Sequence, residues 1–208
     1  MSQPLSRGGR SVSDAGDDRM IYWRRLDVPG AELARVSQAG HEYRIEGAVL
    51  VVYGGQPYDL RYSVACDERW RTRRATIRGT AAGETVRLDI VADTVGGWQL
   101  NGVDWSPVAG CLDVDLGFTP STNLPAVRRL ALSVGEERST RAAWLRFPEL
   151  RFEPLTQLYR REAEYLYRYE SDGGRFVASL EVDAFGLVTR YGEYWIAETE
   201  GAEAGGLR

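Results

Sequence analysis

The segment 110–125 concentrates the side chains of this chain that are best suited to chemistry. Alternation along a predicted strand places Cys111, Asp113 and Asp115 on one face, with leucine and valine on the other. Two carboxylates with nearby loop carbonyls are suited to hold Ca²⁺ or Mg²⁺. The same pair could serve as acid and base on a glycoside, although strand residues two apart are separated by about 7 Å. We favour a third, structural interpretation, in which the carboxylates bond to arginine side chains or loop amides.

The stretch 69–74, Arg-Trp-Arg-Thr-Arg-Arg, is the densest basic cluster. On a strand, Arg69, Arg71 and Arg73 would point to one side, which is the usual pattern of a solvated face. Interleaved arginine and aromatic residues also suit stacked bases, but a net charge of -4 argues against nucleic acid as a partner. An anionic head group or a partner's carboxylate fits the cluster better.

The composition excludes several classes of enzyme. All 26 basic residues are arginine, so the chain has no Schiff-base lysine, no pyridoxal-phosphate anchor and no P-loop lysine. His41, Cys66 and Cys111 are the only histidine and cysteines, too few for a four-ligand zinc site. Any catalytic triad would need His41, which we expect to be exposed in a turn. We therefore predict no cofactor.

Tryptophan and tyrosine make up 17 of the 22 aromatic residues. These side chains combine a large apolar body with a polar tip, which suits the wall of a lipid- or sugar-binding cavity. The alternative is ordinary use of aromatics on pleated sheet surfaces. The excess over phenylalanine favours the amphiphilic cavity.

Hydrophobic alternation with a period of two dominates the chain and predicts strands with one wet face. Glycine-rich turns separate these segments at intervals of roughly ten residues, which indicates an antiparallel sandwich, barrel or roll. The segments 29–38 and 156–163 are ambiguous between helix and strand. The predicted strands are 21–24, 48–53, 58–66, 71–78, 84–92, 112–116, 130–134, 142–147, 165–170, 175–183 and 187–191.

We predict a disordered tail over 1–19, a single domain over 20–198 and a loose tail over 199–208. The longest apolar run, 48–53, is far too short to span a membrane, and the N-terminal segment has no apolar core of a signal peptide. We therefore expect a cytoplasmic protein with two reduced thiols.

An ordered series of motifs resembles the bacterial "putative glycolipid-binding" family, once a domain of unknown function. The resemblance covers about residues 21–195. The motifs include Tyr22-Trp23-Arg24-Arg25-Leu26, Gly110-Cys111-Leu112-Asp113-Val114-Asp115, Thr119-Pro120-Ser121-Thr122-Asn123, Ala143-Trp144-Leu145-Arg146-Phe147-Pro148 and Val182-Asp183-Ala184-Phe185-Gly186-Leu187-Val188.

This resemblance implies an all-β, mainly antiparallel fold: one strongly curled sheet, a spiral β-roll or half-open barrel with few short helices. It implies non-enzymatic binding of an amphiphilic small molecule such as a glycolipid. We expect the protein to be a monomer or a weak homodimer. Two alternatives stay open, a hydrolase that uses Asp113 and Asp115 and a scaffold that pairs through a sheet edge. The predicted ligand-binding residues are Trp70, Arg73, Trp98, Asp113, Asp115, Thr119, Asn123, Arg128, Trp144, Tyr159 and Tyr167.

Overall fold

The computed structural model describes residues 18–198, so the predicted tails lie outside the described residues apart from Asp18 and Arg19. The elements are β1 (Arg19–Arg25), β2 (Gly30–Ala39), β3 (Glu42–Tyr53), β4 (Gln56–Cys66), β5 (Thr72–Ala81), β6 (Glu84–Ala92), β7 (Trp98–Leu100), β8 (Val103–Asp104), β9 (Asp113–Leu116), α1 (Asn123–Leu130), β10 (Glu137–Arg146), β11 (Arg151–Ala163), β12 (Leu166–Ser171), β13 (Phe176–Val182), β14 (Val188–Tyr191) and β15 (Trp195–Ala197). Short 3-10 turns lie at Ser106–Val108 and Asp172–Gly174.

All fifteen strands belong to one sheet, in the order β8-β7-β6-β5-β4-β3-β2-β1-β15-β14-β13-β12-β11-β10-β9. Consecutive strands from β1 to β8 pair antiparallel, and β1 also pairs antiparallel with β15. Within residues 18–198 the only parallel pair is β9 with β10. The sheet is not closed, and the predicted all-β, mainly antiparallel, curled sheet is confirmed.

The sheet curls until its β9 edge meets strand β5 in the other half. The Thr72 backbone N–H donates to the Leu112 carbonyl at 3.0 Å. The Thr72 hydroxyl in turn accepts a hydrogen bond from the Val114 N–H at 2.9 Å. These bonds satisfy backbone groups that an open edge would leave unpaired.

Period-two alternation decides which face of each strand is buried. On β4, Leu60, Val64 and Cys66 are fully buried, as the pattern predicted. Ile45 and Ile77, their neighbours on β3 and β5, are also fully buried. Burying an aliphatic side chain of this size contributes about 1.5–3 kcal/mol. Both cysteines are buried free thiols.

The predicted strand over 130–134 is wrong, because α1 occupies Asn123–Leu130 and ends at Ala131 in the left-handed region, with φ 45°. Pro125 lies in the first turn of this helix, where a missing N–H costs little. The ambiguous segments 29–38 and 156–163 are both strand, within β2 and β11. None of the helices in residues 18–198 is long and apolar enough to span a membrane.

Candidate functional site

A cavity of about 530 Å³ is lined mainly by the half-sheet that runs from β9 through β15 to β1, with Tyr53 added from the end of β3. Eight aromatic residues line it: Tyr53, Trp144, Phe147, Tyr169, Phe176, Tyr191, Tyr194 and Trp195. The polar and charged lining residues are Arg25, Asp27, Asp115, Thr119, Asn123, Arg146, Glu153, Ser171 and Asp172. Its volume is within the range of roughly 300–1,000 Å³ that is typical of small-molecule sites.

Cross-strand register brings the lining residues onto one face. Trp144 on β10 lies opposite Asp115 on β9 and Glu153 on β11. Directly opposed residues on neighbouring strands share a face, so the tryptophan is flanked by a carboxylate on each side. At the other end of the wall, Trp195 lies opposite both Tyr191 and Arg25.

The aromatic wall is held in place by its own edge-to-face contacts. Tyr191 packs at a near-perpendicular angle against Tyr169 and Phe176, with ring centroids 6.0 and 6.2 Å apart. Tyr194 packs edge-to-face against Tyr191 at 6.0 Å and lies tilted by 36° against Phe176 at 5.6 Å. Such pairs prefer this geometry, and the wall therefore exists before any ligand arrives.

Every cation that lines the cavity already has an acidic partner. Arg25 donates to both carboxylate oxygens of Asp27, at 2.7 and 3.1 Å. Arg146 lies 3.6 Å from carboxylate oxygens of Glu149 and Glu153. The cavity therefore has no uncompensated positive charge among its described lining residues.

Asp115 is the lining carboxylate without an arginine partner. Its oxygen accepts a hydrogen bond from the Gln157 amide at 2.6 Å. Burial, with a smaller contribution from the charge of Asp113, raises the pKa of Asp115 to about 6, against the opposing effect of the Gln157 hydrogen bond. This group changes protonation state close to neutral pH.

Asp113 lies behind the cavity and is engaged by Arg129. The Arg129 guanidinium forms a two-pronged contact with the Asp113 carboxylate and also donates to Thr140 at 3.0 Å. Burial raises the pKa of Asp113 even though Arg129 opposes the shift. The structural interpretation therefore fits Asp113, and the hydrolase alternative that needs both aspartates is not favoured. Among residues 18–198 no three acidic, histidine or cysteine side chains are grouped for metal binding.

A buried polar network supports the cavity wall from behind. The Glu32 carboxylate accepts hydrogen bonds from the Tyr62 hydroxyl at 2.5 Å and from Thr119, a lining residue, at 2.7 Å. Ser121 bonds to Tyr62 at 2.6 Å. Complete burial raises the pKa of Glu32 to about 8, although the Tyr62 and Thr119 hydrogen bonds oppose the shift. Glu32 is therefore mostly a neutral acid at pH 7.

The structure brings some of the predicted ligand-binding residues together and separates others. Asp115, Thr119, Asn123 and Trp144 line the cavity. Tyr159 lies just behind the wall and donates to the Asn123 side-chain oxygen at 2.9 Å. The contact of these residues with a ligand stays a prediction.

The remaining predicted residues lie away from this cavity. Trp98 is in the core, where its indole N–H donates to the Cys111 carbonyl at 3.1 Å. Arg128 and Tyr167 line a smaller cavity of about 340 Å³ beside the end of α1. Trp70, Arg73 and Asp113 are engaged with Tyr43, Asp67 and Arg129 respectively.

Sequence reasoning missed most of the aromatic wall, since Trp144 alone of the eight aromatic lining residues was among the predicted site residues. The seven aromatic residues that it missed are Tyr53, Phe147, Tyr169, Phe176, Tyr191, Tyr194 and Trp195, and it also missed Arg25 and Glu153. Alternation along a strand predicts which of its residues share a face. It does not predict that β1 pairs with β15, some 170 positions later in the chain, because this pairing leaves no local signal in the sequence.

A family model described as "Putative glycolipid-binding" matches residues 20–197. A crystal structure of a DUF1089 family protein from Pseudomonas aeruginosa is similar, with a TM-score of 0.62 and 28% sequence identity. The similarity covers 92% of this chain and 96% of that one. No curated protein matches the chain.

Proposed function

The chain belongs to the "putative glycolipid-binding" family, and from this premise we propose that it binds an amphiphile with a neutral, hydroxyl-rich head group. The observation that carries the proposal is the cavity of about 530 Å³, with eight aromatic residues and a polar wall whose cations are neutralised. A glycolipid has the two chemical characters that such a cavity matches. Binding, without a chemical step, is the proposed activity.

The polar wall favours a sugar over an anionic head group. Asp115 and Asp172 offer carboxylate oxygens, and Asn123 and Ser171 add an amide and a hydroxyl. These groups accept hydrogen bonds from sugar hydroxyls, whereas an anion would meet carboxylates and no free cation. Trp144, between two carboxylates in the sheet register, lines the cavity and adds an aromatic ring for the apolar side of a pyranose.

The apolar part of the ligand fits the other side of the cavity. Phe176, Tyr191 and Tyr194 contact one another there, and Phe147 and Leu155 add further apolar lining. Removing alkyl groups from water at such a surface contributes about 0.8 kcal/mol per methylene. A chain of moderate length therefore supplies the affinity, and the head group supplies the specificity.

A cytoplasmic location and a monomer or weak homodimer remain parts of the proposal. Two free, buried thiols support a reducing compartment. There the protein would meet a glycolipid at the inner membrane leaflet or during its synthesis.

Isothermal titration with n-octyl β-D-glucoside, below its micelle-forming concentration, tests the proposal. Octyl sulfate has the same alkyl chain with an anionic head and serves as the comparison ligand. We expect saturable 1:1 binding of the glucoside that is at least several-fold tighter than binding of the sulfate, because the described cavity offers no free cation.

The variant Tyr194→Ala removes part of the aromatic wall, and Tyr22→Ala is its matched control. Tyr22 is 43% exposed on β1 and does not line the cavity. Tyr194→Ala should weaken glucoside binding about tenfold, while Tyr22→Ala leaves it unchanged. Equal loss in both variants, or absence of saturable binding to the wild-type protein, would overturn the proposal.

A further inference from the structure

The basic stretch at 69–74 forms part of a second pocket, which shares no lining residue with the aromatic cavity. This pocket has a volume of about 320 Å³. It is lined by His41, Asp67, Glu68, Arg69, Arg71 and Arg73, and we call it the arginine pocket.

The loop that carries these arginines is rigidly organised by Asp67. One oxygen of its carboxylate accepts the backbone N–H groups of Arg69 and Arg71, both at 2.9 Å. The other oxygen accepts a bond from the Arg73 guanidinium at 2.6 Å. Partial burial alone would raise the pKa of Asp67, but these hydrogen bonds outweigh it and lower the pKa. Asp67 is thus an ionised anchor whose bonding capacity is used within the loop.

Trp70 anchors the same loop through its buried side chain. It is buried and adopts a backbone φ of 60°, which a bulky residue rarely does. Its ring stacks on Tyr43 at 3.9 Å, and the Arg128 guanidinium lies 5.6 Å from its ring centre. Holding a strained backbone in this way fixes the positions from which Arg69 and Arg71 extend.

Arg69 and Arg71 have no carboxylate partner within residues 18–198. The Nε of Arg71 is buried and has no hydrogen-bond acceptor. Its charge acts at longer range on Asp113, but that carboxylate is already paired with Arg129. Glu68 lies 3.4 Å from His41 on the opposite wall of the pocket.

The charges of the pocket leave an excess of positive charge. Arg73 and Asp67 neutralise each other, so among the lining residues the Glu68 carboxylate alone opposes the charges of Arg69 and Arg71. Guanidinium groups match the oxygens of phosphate in both charge and geometry. The rest of the chain carries a net negative charge, so this local excess of cations is a specific feature.

We propose that the arginine pocket is a second binding site, for a phosphate group that is either free or part of a phosphomonoester. The inference is independent of the proposed glycolipid site. The phosphate would bind to the guanidinium of Arg71, which lines the pocket and has no carboxylate partner within residues 18–198, and Arg69 would contact the group from the solvent side.

Titration calorimetry with inorganic phosphate in a low-salt, phosphate-free buffer tests this inference. We expect saturable binding that Arg71→Gln and Arg69→Gln each weaken about tenfold, the effect of losing one charge-assisted contact. The control is Arg74→Gln, which makes the same change in net charge. Arg74 pairs with Asp89 and does not line the pocket, so binding should be unchanged.

A gain-of-binding variant separates the site from damage to the loop. Glu68→Gln removes the carboxylate that opposes the phosphate, so it should tighten binding several-fold, which a merely disrupted loop would not do. Failure of phosphate to bind, or equal losses in Arg74→Gln and Arg71→Gln, would overturn the inference without affecting the glucoside result.

Vesicles distinguish the two sources of the phosphate group. Co-sedimentation is measured with phosphatidylcholine vesicles with and without phosphatidic acid, a lipid phosphomonoester. Binding only to the acidic vesicles, lost in Arg71→Gln, assigns the site to a lipid head group. Saturable phosphate binding without vesicle binding assigns it to a soluble phosphate compound.

Discussion

At the residue scale, the sequence identified the reactive side chains of segment 110–125 but not the different partners of its two aspartates. Asp113 and Asp115 are two residues apart on one strand and therefore share a face, as expected. Arg129 reaches Asp113 from the end of α1, whereas Asp115 meets Gln157 and the cavity. Because the sequence predicted no helix at 123–130, it gave no means of assigning a partner to either carboxylate.

Glu32 should make stability depend on pH. Its folded pKa of about 8 lies above the ordinary value of 4.5, so between these values the unfolded state binds fewer protons than the folded state. Its contribution to stability is therefore complete below about pH 4.5 and is lost as pH rises towards 8, at about 1.4 kcal/mol per pH unit.

Urea unfolding of the wild type and of Glu32→Gln at several pH values tests whether stability falls as pH rises. Glutamine resembles the protonated acid and can accept the same hydrogen bonds from Tyr62 and Thr119. The wild type should lose stability relative to the variant as pH rises from 5 to 8. A difference between the two proteins that stays constant over that range would show that Glu32 is ionised throughout.

Removing one partner of the Asp113–Arg129 ion pair should strongly destabilise the protein. Its side chains are 2% and 14% exposed, so Arg129→Gln leaves a buried charge without compensation. We expect a loss of about 3–5 kcal/mol in the free energy of unfolding. The double variant Asp113→Asn with Arg129→Gln should recover part of this loss, because no charge remains.

The solvent-exposed pair Arg168–Glu170 provides the control for that double-mutant cycle. Arg168→Gln should leave the unfolding midpoint within experimental error, since exposed pairs contribute little. A loss in Arg129→Gln as small as in this control would mean that the Asp113 carboxylate is solvated.

At the scale of elements, period-two alternation predicted the positions of most strands, but it does not indicate which strands pair with each other. β6 was predicted with its observed ends, 84–92, because its apolar residues alternate with Arg87 and Asp89 in the first part of the strand. α1 was missed because it has only eight residues, contains Pro125 and lies in a segment that was interpreted as a long buried loop; Thr122 is at the N-cap position but makes no capping hydrogen bond through its side chain. The cavity depends on long-range register, which local periodicity does not contain.

Gly79 shows how tightly β4 and β5 approach each other. It has a φ of 142°, and a Cβ at this position would lie 1.9 Å from the Asp59 carbonyl oxygen. Gly79→Ala should therefore destabilise the protein by more than the conformational cost alone. Gly83, in the following turn, has a φ of 87° and open space around it, so Gly83→Ala measures that conformational cost.

Denaturant unfolding should show an additional loss in Gly79→Ala of about 1–3 kcal/mol, the usual penalty for forcing atoms into a filled space. Equal losses in the two alanine variants would contradict the close strand contact.

At the scale of the whole molecule, the aromatic residues divide between two tasks. Trp23 and Trp98 are buried in the core, where their indole N–H groups donate to backbone carbonyls. Trp144 and Trp195 line the cavity. The sequence predicted an aromatic-rich curled sheet, but composition alone does not distinguish a filled core from an open cavity. That distinction depends on how far the roll closes and on how little of its interior α1 occupies.

Photo-labelling tests the central claim most directly. An alkyl glucoside with a diazirine on its chain is irradiated with the protein, and the labelled peptides are identified by mass spectrometry. The account predicts labels on the aromatic wall, at Phe147, Phe176, Tyr191 or Tyr194, which excess n-octyl β-D-glucoside suppresses. Labels on exposed residues of the outer surface, such as Met20 or Leu50, without suppression by the competitor, would contradict a glycolipid site inside the roll.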